Sequence, residues 1–480
     1  MKRILCAILA MVLVLSLAAC GGEKGPSFEA GVLYAGYGRA VINPKMSTPL
    51  GGYDSNDMRM HVSIIDDLMA TCVALTDGDQ SFLMISTDAV RSKGTWTDAV
   101  RAKVTEEYGI PGENVMLMAS HSHSAPNTNS KNPAMAEYEK IFVDGCMEAV
   151  RLAMADRAKA TMYQGSVQTE HMTFVRHYEM NDGTVAGPNF GTWASGIKGH
   201  VGRNDPEMIL VKFEREGDDK KPILMMNFQA HTTMTGGAEK LDISADYVGV
   251  CRTYLEENAD VLFAYYLGAC GNQPPNSNIP QENNQMPFAG QLPTGDRDYI
   301  SYGTALGLYA QQALPNLTKV EHKPGIQTTT KVVTLPTNKN QPMDRVNDAA
   351  VVVDVWNSQG RDAGNAKAQE LGFASVYEAN GMMNLGDLPD SNDIQVWATR
   401  VGSLYFVNAP YEMFSENALF IKENTPANTM VITQSNEAWG YITDKKAHEY
   451  KCYENFGFNF CPGAGEELAQ TMVDLLKTVG

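Results

Sequence analysis

Short, nearly continuous apolar runs recur along this chain, the pattern of strands buried on both faces. They include Met69–Leu75, Phe82–Ile85, Val115–Met118, Met208–Phe213, Ile223–Phe228 and Val261–Tyr266. Between them lie stretches with helical spacing: Thr97–Glu107, closed by Gly109 and Pro111, then Ala134–Met154, then Tyr247–Glu257. The charged turn Glu214–Lys221 predicts that Met208–Phe213 and Ile223–Phe228 form a hairpin. The segment from Asn276 to Asp298, rich in Pro, Asn, Gln and Gly, predicts a long loop. A helix over Tyr299–Ala313 and an extended segment Ile326–Leu335 follow, and 342–390 predicts a polar-interrupted helical insertion near the site. The last third returns to strands Val396–Val401, Leu404–Val407 and Met430–Thr433, with helices Phe414–Lys422 and Glu466–Leu476. Hairpins and crossovers together predict an α/β fold with mixed sheets flanked by helices, in one large domain over 33–480.

The ends of the apolar runs carry the chemistry. Val115–Met118 leads into His121-Ser122-His123, Ile223–Met226 into His231, Val261–Ala264 into Gly271-Asn272, and Leu404–Val407 into Glu412. Ligands of α/β folds bind outside the carboxyl ends of the strands, so four such ends imply one shared site. Two imidazoles two residues apart can aim nitrogen ligands at a metal. The bland alternative is a pair of loop imidazoles making ordinary hydrogen bonds.

Composition adds an address. Lys2 and Arg3 precede an apolar stretch, Ile4–Leu17, then Leu17-Ala18-Ala19-Cys20. This predicts a signal peptide over 1–19, with Cys20 as a lipid acceptor and 20–32 as a tether. An ordinary cleaved signal beside an incidental cysteine is the alternative. No later run reaches the roughly 18 apolar residues of a spanning helix, so the expected location is extracytoplasmic, anchored to the bacterial membrane by lipid. With 44% hydrophobic residues there is ample material for a core. The net charge of −18, more negative once Lys2 and Arg3 leave, argues against nucleic acid. Of the cysteines after Cys20, Cys72, Cys146, Cys251 and Cys270 lie in apolar segments. Cys452 and Cys461 flank an aromatic loop and are the expected bridge.

Several blocks, in shared order, resemble the neutral/alkaline (non-lysosomal) ceramidase family. The segment Asn114–Pro126 is similar to the family's strand and THTHSGP signature. Tyr37-Gly38-Arg39-Ala40 with Gly51-Gly52-Tyr53 resembles its N-terminal segment. Asn227–His231 followed by Ser244–Gly249 resembles the second histidine and its SGDxxG block, Asn408–Glu412 the PGE segment, and Gly440–Thr443 with Tyr453-Glu454 the GYxT…YEG pair. His123 points to the same pocket by strand alternation or loop geometry, as a candidate acid/base or oxyanion partner, and the resemblance implies zinc ligands at His121, His231, Glu412 and Tyr441. It further implies an active-site arginine at Arg176, polarising the scissile carbonyl, and a hydrogen-bond donor at Tyr453. Two imidazoles and a carboxylate are a hydrolytic zinc set with a position left for water, and a phenol is a weak fourth ligand. The six other histidines, His61, His171, His177, His200, His322 and His448, are expected to be solvated or structural.

Two departures bear on the substrate. Where the family has GDxSPN, this chain has Gly271-Asn272-Gln273-Pro274-Pro275-Asn276, so the serine position is Pro274, which has neither hydroxyl nor N–H. The C-terminal immunoglobulin-like domain of the family is not expected after the closing helix. The leading expectation is therefore a zinc-dependent hydrolase attacking an amide or ester carbonyl of a lipid-like or other small substrate. One alternative is a non-catalytic surface lipoprotein binding a lipid or glycan on the same scaffold. The other, an amidohydrolase-type barrel, needs further histidines after later strands, and only His231 is suitably placed.

Overall fold

Two sheets lie face to face with helices outside both. The computed structural model describes residues 28–53, 59–187, 196–237, 240–276, 288, 291–292, 298–339, 345–373, 375–385, 388–450, 454 and 460–480. The larger sheet has nine strands. Eight run in the order Leu262–Leu267, Ile223–Phe228, Glu207–Arg215, Ala158–Gln168, Leu33–Val41, Met69–Asp77, Gln80–Thr87 and Val115–Ala119. Its middle is antiparallel. At its two ends Gln80–Thr87 runs parallel to Val115–Ala119, and Ile223–Phe228 parallel to Leu262–Leu267. The expected hairpin is present, with Ile209 opposite Asn227.

Alternation along the strands explains the layers. Phe82 and Met84 point into the cluster between the sheets, while Leu83 and Ile85 join Trp96, Val100 and Tyr138 of the helices Gly94–Tyr108 and Ala134–Ala155. Both faces are dry, which is why these strands read as unbroken apolar runs. The second sheet, Ile326–Pro336, Ser391–Val401, Leu404–Asn408 and Met430–Ile432, does the same. Phe406 faces inward, its ring 5.3 Å from that of Phe82, and Val407 faces outward toward Leu468 and Met472 of the helix Ala464–Leu476. The result is a mixed α/β fold of four layers.

Two long strands of the larger sheet, Leu33–Val41 and Ala158–Gln168, lie outside the predicted apolar runs. Ala158–Gln168 sits between Leu33–Val41 and Glu207–Arg215, yet much of it is half-exposed, and Lys159, Gln164 and Gln168 dilute its apolar signal. The segment expected to be helical contains Val346–Gln359, Arg361–Glu370 and Val376–Leu385, which form a small core of their own from Ala349, Val352, Phe373 and Val376.

Cys72, Cys146, Cys251 and Cys270 are buried and unbridged. Of the expected bridge, Cys452 lies outside the described residues, and the Cys461 thiol sits 3.0 Å from the Thr337 carbonyl. The leader, Cys20 and most of the 276–298 loop also lie outside them. No described helix is long and apolar enough to cross a membrane.

Candidate metal centre

The strand Val115–Ala119 ends where Ser120 enters the interior, and His121 follows with φ +67°, in the left-handed region that costs an L-residue on the order of 1–3 kcal/mol. Surrounding bonds hold that conformation. The His121 N–H donates to the Ala89 carbonyl at 2.9 Å and its Nδ1 donates to the Val90 carbonyl at 2.6 Å. His123 follows on the same loop, its N–H donating to the Thr232 carbonyl. From the other end of the strand order, Ile223–Phe228 delivers His231, whose Nδ1 lies 3.1 Å from the Cys270 carbonyl.

The three Nε2 atoms form a triangle. His121 to His231 is 3.1 Å, and His123 is 3.2 Å from each. Glu412 adds its Oε2 at 3.3 Å from His121 Nε2 and 3.7 Å from His231 Nε2. All four side chains are buried. Glu412 reaches the triangle because Gly271 permits a close approach: a Cβ there would lie 2.5 Å from the Glu412 carbonyl. Tyr441 is the direct parallel-strand partner of Glu412, and its ring stacks 6.4 Å from that of His231.

Hydrogen bonding separates the histidines. With Nδ1–H donated to a carbonyl, His121 and His231 each turn an Nε2 lone pair inward, the arrangement in which second-shell carbonyls fix a metal ligand's tautomer. His123 Nδ1 has no partner among the described residues. Its ring is held by packing instead, with Tyr53 edge-on at 4.9 Å. Gly52 (φ +95°) presses its backbone so close that a Cβ would stand 2.3 Å from His123 Nδ1.

The electrostatics ask for a cation. Burial and the neighbouring His121 push His231 down to about 3, and burial with the flanking imidazoles holds His123 well below the ordinary histidine value. Burial alone would raise Glu412, but His121 and His231 beside it hold its carboxyl well below the usual range. Glu412 Oε2 has no hydrogen-bond donor. Two inward lone pairs and an ionised carboxylate therefore crowd together, with only the His123 ring, 3.2 Å from both other Nε2 atoms, to offer a proton, which is costly in a dry interior. A tetrahedral ion with bonds of about 2.0–2.1 Å would space its nitrogens roughly 3.3 Å apart, close to the spacing observed here. The residues present fit a zinc-like ion. The described acids and histidines contain one candidate metal group, His121, His123 and His231.

Arg176 lies beside this centre but is already engaged. Its Nε donates to Glu454 Oε1 at 2.9 Å and its Nη2 to the Tyr441 hydroxyl at 3.2 Å. Tyr453, expected to act here, lies outside the described residues. Neighbouring His177, expected to be solvated or structural, is fully buried, with Nε2 3.4 Å from Glu454 Oε2 and Nδ1 2.9 Å from the Tyr450 hydroxyl. Nothing local marks that pairing, since its members are more than 270 residues apart. Asn272 proves architectural: its amide bonds Ser415 at the start of the helix Ser415–Glu423. Asp246 was missed as a site-building residue. It is buried at φ +60° and accepts from the Thr235 N–H and hydroxyl, pinning the loop that follows His231.

No protein-family model and no curated protein sequence matches this chain. Solved structures do. The neutral ceramidase from Pseudomonas aeruginosa is similar with a TM-score of 0.65 and 17% identity, over 93% of this chain and 74% of that one. A ceramidase complexed with C2 is similar with a TM-score of 0.64 and 17% identity, over 93% and 75%. The chain has a neutral-ceramidase-like fold, as the ordered motifs led us to expect.

Proposed function

We propose that this protein is a zinc-dependent hydrolase that cleaves an N-acyl amide, or a related ester, of a lipid-like substrate. The observation that carries this is the buried meeting of acceptors without a donor at His121, His231 and Glu412. Tyr441 completes the ligand set at its edge. When bound there, zinc supplies a Lewis acid and brings the pKa of a coordinated water to about 7.

The chain's own groups do the rest. The Val90 and Cys270 carbonyls hold His121 and His231 in the ligating tautomer. His123, whose Nδ1 is unpartnered, is the imidazole free to take and return a proton at the departing nitrogen. Arg176 grips the Tyr441 oxygen and orients it, which replaces the direct carbonyl contact expected from the motif. Pro274 removes the serine hydroxyl, so no side-chain nucleophile is needed in this scheme. We further propose export with removal of 1–19, lipidation at Cys20, a tether over 20–32, and a catalytic domain over 33–480.

The test pairs metal analysis with turnover. Purified protein should carry about one zinc and hydrolyse N-acylsphingosine or simple fluorogenic amides or esters. His121→Ala and Glu412→Ala should lose both metal and activity; full retention of both would sink the assignment. A zinc-free folded protein that binds lipid without turnover would establish a binding role instead.

A further inference from the structure

We infer that Arg91 is an anion-recognition residue at this centre, and that the substrates are N-acyl amides whose amine part carries a carboxylate, such as N-acyl amino acids. The inference rests on the hydrolase reading above and names its substrate class.

Arg91 lies on the loop between Gln80–Thr87 and the helix Gly94–Tyr108, and that loop is bolted down on both sides of it. Val90 is fully buried and its carbonyl takes the His121 Nδ1 proton. Ser92 is fully buried and bonds the Gln434 carbonyl at 2.9 Å. The Arg91 carbonyl itself accepts from the Thr128 hydroxyl. The Arg91 side chain leaves the loop half-exposed, as does that of Lys93, whose ammonium lies over the Trp96 ring. Among the described residues it is the one arginine whose guanidinium has neither a hydrogen bond nor an ion pair. This is conspicuous in a chain with 56 acidic and 38 basic side chains.

The guanidinium makes no hydrogen bond or ion pair with the fold, and its positive charge works against the metal. Its charge is felt at both His123 and Glu412. With a divalent ion in place, one glutamate would face a dication and a guanidinium, so the centre is electropositive within an acidic protein. Such a site concentrates anions and favours a substrate that brings the missing negative charge. The guanidinium fork matches a carboxylate in two parallel bonds. The acyl side of a lipid amide is hydrocarbon, so the charge belongs on the amine side. Water adds to the acyl carbon, the C–N bond breaks, and the nitrogen leaves with a proton as the free amino acid beside a fatty acid.

The test compares N-dodecanoylglycine with N-dodecanoylethanolamine, its neutral counterpart, on zinc-loaded protein. Wild type should favour the glycine conjugate by at least about tenfold in kcat/KM, mainly through KM. Arg91→Met should bring the ratio close to one, Arg91→Lys should restore part of it, and zinc content should be the same in all three. Calorimetric binding of both amides to metal-depleted protein reads the same preference without turnover. It therefore still judges Arg91 if neither amide is hydrolysed, an outcome that counts against the hydrolase reading alone. A wild-type preference for the ethanolamide, or a ratio unaltered by Arg91→Met in both measurements, overturns the inference.

Discussion

Glu412 and Glu454 are both fully buried carboxylates in the same part of the molecule, each beside a histidine, yet their surroundings differ in kind. Glu454 is complete: Arg176 holds one oxygen at 2.8 Å and His177 faces the other at 3.4 Å. Glu412 faces lone pairs, and its Oε2 lacks a donor. A self-satisfied buried ion is architecture, because its cost is already offset within the chain. A buried ion surrounded by acceptors implies a cation from outside. That contrast separates support from site without reference to any relative.

The largest expected effect comes from Glu412→Gln. Losing the carboxylate should abolish zinc retention and lower activity by about 10³-fold or more, measured by metal analysis and turnover. Chelation of wild type should do the same and lower its melting temperature, because an ion bound only by the native state stabilises it by mass action.

Glu454→Gln should act on stability instead. Leaving Arg176, largely but not fully buried, without its anion should cost about 3 kcal/mol in denaturant unfolding. The pH dependence sharpens the point. Burial alone would raise the Glu454 carboxyl, but Arg176 and His177 take it from its ordinary 4.5 down to about 2. Its contribution is therefore fully present above about pH 4.5 and is lost as pH falls toward 2. The loss seen in wild type over that window should be smaller in Glu454→Gln.

His123→Ala should lower turnover by about 10²–10⁴-fold while zinc stays bound. Loss of zinc would place His123 among the ligands, where its Nε2 distance alone would also put it. The smallest effect belongs to Gly52→Ala. Its positive φ and the collision with the His123 ring should cost about 1–3 kcal/mol, seen as a lower melting temperature with zinc content preserved.

Much of the architecture was legible because its signals are local. The strands Val115–Ala119 and Ile223–Phe228 announce themselves through apolar runs, and the residues that follow them, His121 and His231, meet as their positions at strand ends implied. Ala158–Gln168 escaped because a half-wet strand dilutes that signal. The partition among the histidines escaped for another reason. Whether a ring donates Nδ1 to Val90 or leaves it unpartnered depends on a loop more than 30 residues away, which no spacing reports.

The sequence by itself determined the α/β alternation, the strand ends that carry donors, and the ordered motifs of a neutral-ceramidase-like fold, since each is written within a few neighbouring residues. Tertiary structure alone decided that Glu454 is satisfied and Glu412 is not, and that Arg91 stands unpaired. Satisfaction is a property of what surrounds an atom in space, and those surroundings are assembled from segments hundreds of residues apart.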